Sequence, residues 1–278
     1  MIQFHQILLL LFTIMIPVVG DELDKMSFSE KHIYINNFQH YVENIFLGFI
    51  GAIVQYFMCC SFIEYLNPMP KTKLRVQNIL KEIRFGIPQL MFGSFVSMSF
   101  YYYIYPYTPY YKYFEIRDYS IHHLIYGVGF HCLWKIFNGY WIHRLLHQRQ
   151  FYQYIHSIHH SFKEPTSFGY CAGHPLEGFL LGTMILHSAE VLIPIHPLQT
   201  MIFGLLFAIK DMLAHDGNIL DYEDHYRHHL YYVVNFGNPI LDKLFGTSYN
   251  PKNYPIKQKC SYISEFKNQN NPLFLKYQ

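Results

Sequence analysis

Two clusters of histidines, His143-Arg-Leu-Leu-His147 and His156-Ser-Ile-His159-His160, lie close together near the middle of the chain. A third cluster, His225-Tyr-Arg-His228-His229, repeats the spacing of the second. On an α-helix, residues at positions i, i+3 and i+4 share one face, so each cluster is expected to point its imidazoles in one direction. Neutral imidazole binds iron, zinc and copper. The spacing therefore predicts a metal centre whose ligands are His143, His147, His156, His159, His160, His225, His228 and His229.

The number of histidines predicts two metal ions rather than one, because a structural zinc ion usually takes four ligands. His174 and His215 are further candidate ligands near the clusters. His174 precedes Pro175 at the start of an apolar segment, so its alternative role is to cap a helix or to orient a ligand. Carboxylates commonly orient ligand imidazoles, and the candidates for that role are Glu177, Asp211, Asp221 and Asp224. Ordinary solvated charge is the alternative for each of these carboxylates.

The composition favours a membrane protein without a nucleic-acid partner. Hydrophobic residues make up 51% of the 278 residues and charged residues only 14%, whereas about a quarter of the residues in soluble domains are charged. The net charge of +2 is too small to indicate nucleic-acid binding. The five cysteines are odd in number and form no Cys-x-x-Cys pair. A disulfide framework or a zinc-thiolate site is therefore not expected.

The apolar runs predict an all-α membrane protein with about four transmembrane helices in two hairpins and a cytoplasmic, helical, histidine-rich cap that holds two metals. Residues 1–20 form a signal peptide or an N-terminal anchor. Transmembrane helices occupy residues 41–142, and a span needs about 20 apolar residues. The predicted spans are residues 41–65, 85–105, 121–142 and 176–193, with residues 198–213 returning after a break at Pro194 and Pro197. Lysines and arginines between residues 64 and 84 place that loop, and with it all three histidine clusters, in the cytoplasm. Residues 251–278 form a polar tail.

The clusters and the sequences around them resemble the fatty acid hydroxylase and sterol desaturase superfamily, and most closely its 4-methylsterol monooxygenases. The resemblance covers a predicted catalytic domain at residues 120–250. Besides the three clusters, the matching stretches are Ala172-Gly-His-Pro-Leu-Glu177, His215-Asp-Gly, Asn235-Phe-Gly237 and Asp242-Lys-Leu-Phe-Gly-Thr247. The chain departs from this resemblance at Asp224, where many relatives have histidine, and at Pro239-Ile240-Leu241, where relatives often have an aromatic patch. Both departures bear on the identity of the substrate more than on the binding of metal.

The resemblance implies a multi-pass enzyme of the endoplasmic reticulum membrane whose catalytic face is cytoplasmic. Such an enzyme would use two iron ions, O2 as co-substrate, and electrons from NAD(P)H relayed by cytochrome b5 and its reductase. The eight cluster histidines would be iron ligands. The implied reaction is stepwise oxidation of a methyl group at sterol position 4.

Two alternatives remain open from the sequence. Another lipid oxidase of the superfamily, such as a sterol desaturase, a fatty acid hydroxylase or a sterol side-chain oxidase, would carry the same histidine clusters. A membrane protein that binds metal without catalysis is the alternative of a different class. The clusters alone do not distinguish between substrates, nor between hydroxylation and desaturation.

Overall fold

The computed structural model describes residues 38–67, 69, 71–107, 119–217 and 224–254, and within these residues the chain is helical and has no β-strand. The predicted all-α class is confirmed for this part of the chain. The predicted signal peptide or anchor at residues 1–20 and the tail beyond residue 254 lie outside it. The helices are α1 (Phe38–Leu66), α2 (Lys73–Tyr103), α3 (Ile121–Leu146), α4 (Arg149–Phe151), α5 (Pro175–Gly178), α6 (Met184–Leu192), α7 (Pro197–Asp216), α8 (Asp224–Tyr231) and α9 (Pro239–Leu244).

Local sequence sets where the long helices begin. The Thr72 hydroxyl accepts a hydrogen bond from the backbone N–H of Arg75 at the start of α2, and Ser120 caps α3 in the same way. At α7, His196 and Gln199 form a reciprocal capping box, with Pro197 at the first helical position. These contacts satisfy backbone N–H groups that have no partner within the helix.

In the part of the chain that the structure describes, two helices, α1 and α7, are long and apolar enough to cross a membrane. Both keep large apolar side chains on the protein surface, including Phe46 and Ile50 on α1 and Leu206 on α7. Lipid would cover such a surface more favourably than water. The helices α2 and α3 are also long, with 31 and 26 residues. Their polar side chains make them less apolar than α1 and α7, and they do not qualify as candidate membrane spans. The predicted four-span topology stays a prediction.

A buried ion-pair network joins the ends of α1, α2 and α7 beside the histidines. The Arg75 guanidinium donates to Glu64 Oε2 at 2.6 Å and to Asp216 Oδ1 at 3.3 Å. Asn67 donates to the same oxygen of Asp216. Removing one partner of such a buried network would leave an uncompensated charge. The network therefore fixes the end of α7, where His215 lies.

Two histidines outside the clusters make hydrogen bonds within and between helices. His131 Nε2 donates to the carbonyl of Ile193 at 2.9 Å. His187 bonds to Glu190 through Nδ1 at 2.7 Å and to the Ser97 hydroxyl through Nε2 at 3.0 Å. His131 thus ties α3 to the end of α6, and His187 ties α6 to α2.

Candidate metal centre

The fold brings nine histidines into two adjacent groups whose ring nitrogens are spaced as metal ligands would be. Within each group, one potential ligand atom from every residue lies within 4.8 Å of the others. The five-histidine group consists of His143, His147, His156, His160 and His228, and the four-histidine group consists of His159, His215, His225 and His229. The rings of His160 and His229 have centroids 4.8 Å apart across the two groups. Two metal ions held by these groups would therefore be neighbours.

In the five-histidine group, the Nε2 atoms face one another. His156 Nε2 lies 3.0 Å from Nε2 of His143, of His147 and of His160. His228 Nε2 lies 2.9 Å from that of His147. The five rings thus surround a single point with the same kind of atom.

Backbone carbonyls fix the tautomer of two of these rings. His143 Nδ1 donates to the carbonyl of Phe236 and His228 Nδ1 to that of Val234, each at 2.7 Å. Because a carbonyl can only accept, Nδ1 carries the proton and Nε2 of a neutral ring presents a lone pair. Outer hydrogen bonds of this kind orient metal-binding histidines in general.

The four-histidine group is built in the same way. Nδ1 of His215 donates to the carbonyl of Asp211 at 2.6 Å, and Nδ1 of His229 to that of Phe162 at 2.9 Å. His159 Nδ1 donates to the carbonyl of Ala172 at 3.2 Å, while its Nε2 lies 3.2 Å from His215 Nε2. The buried Nε2 of His229 has no hydrogen-bond partner. A metal ion would supply the missing partner.

Burial keeps the imidazoles neutral, which is the form that binds metal. It lowers the pKa of His156 to about 3 and that of His159 to about 4. Burial also holds the pKa values of His143, His228 and His229 well below the usual range. Converging lone pairs on uncharged rings repel one another unless a cation lies between them. The donor set therefore fits two metal ions with imidazole ligands.

The expectation that each cluster faces one direction is wrong for the second and third clusters, because each His-x-x-His-His cluster contributes to both groups. His156 and His160 belong to the five-histidine group and His159 to the other; His225 and His229 belong to the four-histidine group and His228 to the other. Residues i and i+4 are about 40° apart around a helix axis, whereas i+3 and i+4 are about 100° apart. The second cluster is also irregular, with a π-helical turn at Tyr152–His156 followed by a 3-10 turn at His159–Ser161.

The turn after α8 supplies the carbonyls that bind His143 and His228. Tyr232 and Asn235 have positive φ angles of 63° and 54°, and Asn tolerates this conformation better than most residues. Asp242 Oδ1 accepts hydrogen bonds from the Phe236 N–H at 2.9 Å and from the Thr247 hydroxyl at 2.7 Å. The Asn235-Phe-Gly237 and Asp242–Thr247 stretches are therefore a support for the five-histidine group.

One of the four candidate orienting carboxylates lies against the ligands. Glu177 Oε1 is 3.1 Å from His156 Nδ1 and 3.8 Å from His159 Nδ1, so Glu177 contacts one ring from each group. Asp211 contacts His215 through its backbone carbonyl rather than its carboxylate. Asp221 and the Asp224 side chain lie outside the described part of the chain.

The two additional candidate ligands have different positions. His215 is a member of the four-histidine group. His174 belongs to neither group, and its Nδ1 accepts a hydrogen bond from the Leu176 N–H at 3.1 Å as the N-cap of α5. The helix-capping role is the alternative that the sequence offered for His174, and its ligand role stays a prediction.

A cavity of about 440 Å³ opens directly onto both groups. Its wall includes His143 and His156 from one group and His159, His215 and His225 from the other. It continues between α3, α6 and α7 toward a second cavity of about 170 Å³ that shares Lys135 and Phe207 with it. A volume of this size is typical of small-molecule sites. Gln89 also lines the cavity, and no local sequence pattern singled it out.

The fold and the site define a helical protein in which two adjacent histidine groups, each able to hold a metal ion, open onto a cavity. Residues 128–247 match the family described as fatty acid hydroxylase. The resemblance to this superfamily that the sequence predicted is confirmed for this part of the chain.

Known sterol enzymes are similar to the chain at modest identity. Lathosterol oxidase from Homo sapiens is 26% identical over 256 residues, which cover 82% of each chain. Delta(7)-sterol 5(6)-desaturase from Aspergillus fumigatus is 31% identical over 43% of this chain and 48% of its own length. Methylsterol monooxygenase 1 from Rattus norvegicus is 33% identical over 43% of this chain and 45% of its own length. No solved structure matches the chain.

Proposed function

We propose that this protein is a membrane oxidoreductase that uses two iron ions and O2 to oxidise a sterol. The observation that carries the proposal is the pair of histidine groups whose Nε2 lone pairs converge beside a cavity large enough for a small lipid. The resemblance to sterol desaturases and methylsterol monooxygenases supports iron as the metal and a sterol as the substrate. When bound, iron would supply the oxidation of an unactivated C–H bond, which acid–base side chains alone do not achieve.

The residues of the chain would hold the metal ions and orient the sterol. Carbonyl-bound Nδ1 atoms keep five of the nine imidazoles in one tautomer, and Glu177 contacts a ring of each group. The cavity would hold the sterol with one ring carbon close to the histidines and keep water away from it. Which carbon reacts would depend on its position relative to the metals, since small misplacements are costly in rate.

The first candidate reaction is introduction of a double bond into a sterol ring. The lathosterol oxidases from Homo sapiens and Rattus norvegicus align with 77% or more of both chains. The Delta(7)-sterol 5(6)-desaturases align with 38–45% of this chain. This is one of the alternatives that the sequence left open, and these alignments favour it.

The second candidate reaction is hydroxylation of the 4-methyl group of a sterol. The observations that favour it are the Ala172-Gly-His-Pro-Leu-Glu177 stretch and the 33% identity to methylsterol monooxygenase 1 over 134 residues. Both reactions need the same metals and act at neighbouring positions of the sterol, so the histidine groups serve either of them.

The proposed setting is the endoplasmic reticulum membrane with the metal centre on the cytoplasmic side. Four transmembrane spans would place all histidine clusters there, and the apolar helices α1 and α7 support insertion. The sequence shows no dinucleotide-binding fingerprint, so we propose that electrons come from NAD(P)H through cytochrome b5 and its reductase.

The experiment that tests this function is reconstitution of the detergent-purified, iron-loaded protein with cytochrome b5, its reductase and NADH. Lathosterol and a 4-methylsterol would be supplied separately, and products identified by mass spectrometry. A product with one more double bond supports desaturation, and a hydroxymethyl product supports the second candidate. Turnover of neither sterol, with iron bound, would reject the proposal.

Metal analysis separates the enzyme from a protein that only binds metal. We expect two irons per chain in the wild-type protein, and loss of one iron and of activity in His159→Ala. Zinc that is retained in that variant, without turnover, would favour the non-catalytic alternative.

A further inference from the structure

We infer that Gln89 and Glu177 form the polar end of the substrate cavity and accept a hydrogen bond from the hydroxyl group of an apolar, uncharged alcohol. The inference rests on the proposed function and deepens it, because it assigns the residues that recognise the substrate's polar end. It also indicates which end of the substrate approaches the metal centre.

The starting observation is a pair of unsatisfied oxygens. Gln89 Oε1 and Glu177 Oε2 are buried and have no hydrogen-bond partner, and within the described residues they are the only side-chain oxygens of which this is true. Both residues line the cavity that reaches the histidine groups. A buried acceptor without a donor costs free energy. Two such acceptors in one cavity therefore indicate a ligand that brings a donor.

Two glycines make room for this pair. A Cβ atom at Gly178 would lie 2.4 Å from Gln89 Nε2, which real contacts do not allow. A Cβ at Gly173 would lie 3.1 Å from Glu177 Oε2 and 3.3 Å from Gln89 Oε1. Both oxygens thus approach the same glycine, which places them close together. The side chain of Gln89 reaches this position from α2 only because α5 and the residues before it carry glycine there.

The chemistry of the pair selects the kind of ligand. A hydroxyl group brings one proton that either oxygen can accept, whereas a carboxylate would face both oxygens with further lone pairs. An ether or a hydrocarbon would leave both oxygens unpaired. Sites that hydrogen-bond a hydroxyl discriminate against analogues that lack it. The pair therefore favours a sterol alcohol over a free fatty acid.

The position of the pair fixes the orientation of the ligand. Glu177 Oε1 lies 3.1 Å from His156 Nδ1, so the hydroxyl would be held beside the ligand histidines rather than at the far end of the cavity. The rest of the molecule would extend along Ile136, Leu181 and Phe207 between the helices. The carbons presented to the metals would then be those a few bonds from the hydroxyl. Both reactions proposed above occur in that part of a sterol.

The test measures binding of lathosterol and of its 3-deoxy analogue to the iron-loaded protein in detergent. We expect the wild-type protein to bind the alcohol about ten- to a hundredfold more tightly than the deoxy compound, the effect of leaving buried acceptors unpaired. Gln89→Met has similar length and lacks the amide oxygen. It should lose most of that preference while binding the deoxy compound as well as wild type does.

A matched variant on the apolar wall, Phe207→Leu, should weaken binding of both compounds by the same factor and keep the preference. Iron content is measured for every variant, so that loss of fold is recognised. The inference is overturned if wild type binds both compounds equally, or if Gln89→Met keeps the preference. If wild type binds neither compound, the proposed sterol function fails together with the inference. If wild type binds both equally, only the inference about Gln89 and Glu177 fails.

Discussion

His143 Nδ1 lies 2.7 Å from the backbone carbonyl of Phe236, a residue 93 positions later in the chain. Through this contact a turn between α8 and α9 determines the tautomer of a histidine at the end of α3. The ligand group is therefore not made by the histidine clusters alone. It depends on a distant segment whose own conformation is held by Asp242.

Asp242→Ala should weaken the five-histidine group without touching a ligand. The Phe236 N–H and the Thr247 hydroxyl would lose their acceptor, and we expect a loss of about 1–3 kcal/mol in the free energy of unfolding. Metal affinity should fall by about 10–100-fold, as for other residues that support metal ligands. Thermal unfolding and metal titration measure the two effects. Asp242→Asn keeps an acceptor oxygen and should behave much more like wild type; equal loss in both variants would contradict this account.

Because each His-x-x-His-His cluster contributes to both groups, the grouping predicts which double substitutions have additive effects on metal content. His228→Ala should remove metal from the five-histidine group and His159→Ala from the four-histidine group. Each variant should retain one of two metals, because the other group keeps all its ligands. Combining His228→Ala with His143→Ala should cause little further loss, since both belong to one group, whereas combining it with His159→Ala should remove both metals. Metal content per chain decides this. Loss that followed the sequence clusters instead would refute the grouping.

The metal-free protein should lose stability as the pH falls. An unfolded histidine titrates near pH 6.5, whereas burial lowers the pKa of His156 to about 3 and of His159 to about 4 in the folded protein. Between these values the unfolded chain binds more protons, so the free energy of unfolding decreases as the pH drops from about 6.5 toward 4. Melting temperatures of the metal-depleted protein at a series of pH values test this. Replacing His156 and His159 by Gln should flatten the dependence; an unchanged slope would point to other groups.

Gly178→Ala should destabilise the contact between α2 and α5. The new methyl group would collide with the Gln89 amide, and overpacking of this kind costs about 1–3 kcal/mol. Gly93→Ala on α2 is the matched control, because a Cβ there meets nothing within 4 Å and alanine favours a helix by about 1 kcal/mol over glycine. We expect a lower melting temperature for the first variant and an equal or higher one for the second. Similar melting temperatures of the two variants would show that the Gln89 side chain moves away from the new methyl group without loss of stability.

Much of the metal centre could be predicted from the sequence because its ligands come in short clusters. Spacings of three and four residues bring histidines near one another on a helix, and eight such residues exceed the needs of one metal ion. His215 belongs to no such cluster; its position at the end of an apolar segment near the third cluster made it a candidate, and it lies in the four-histidine group. The helical class followed from the long apolar runs and the same periodicity.

Only the tertiary structure decided how the ligand histidines divide between the five-histidine and the four-histidine group. His159 and His228 occupy equivalent positions in their clusters, yet they cross to opposite groups because α8 and the irregular turns around residue 156 approach each other from different directions. The carbonyl that orients His143 and the unsatisfied oxygen of Gln89 are far from the clusters in sequence. Local spacing determines which side chains share a helix face, whereas the pairing of separate segments is a long-range contact that no local pattern specifies.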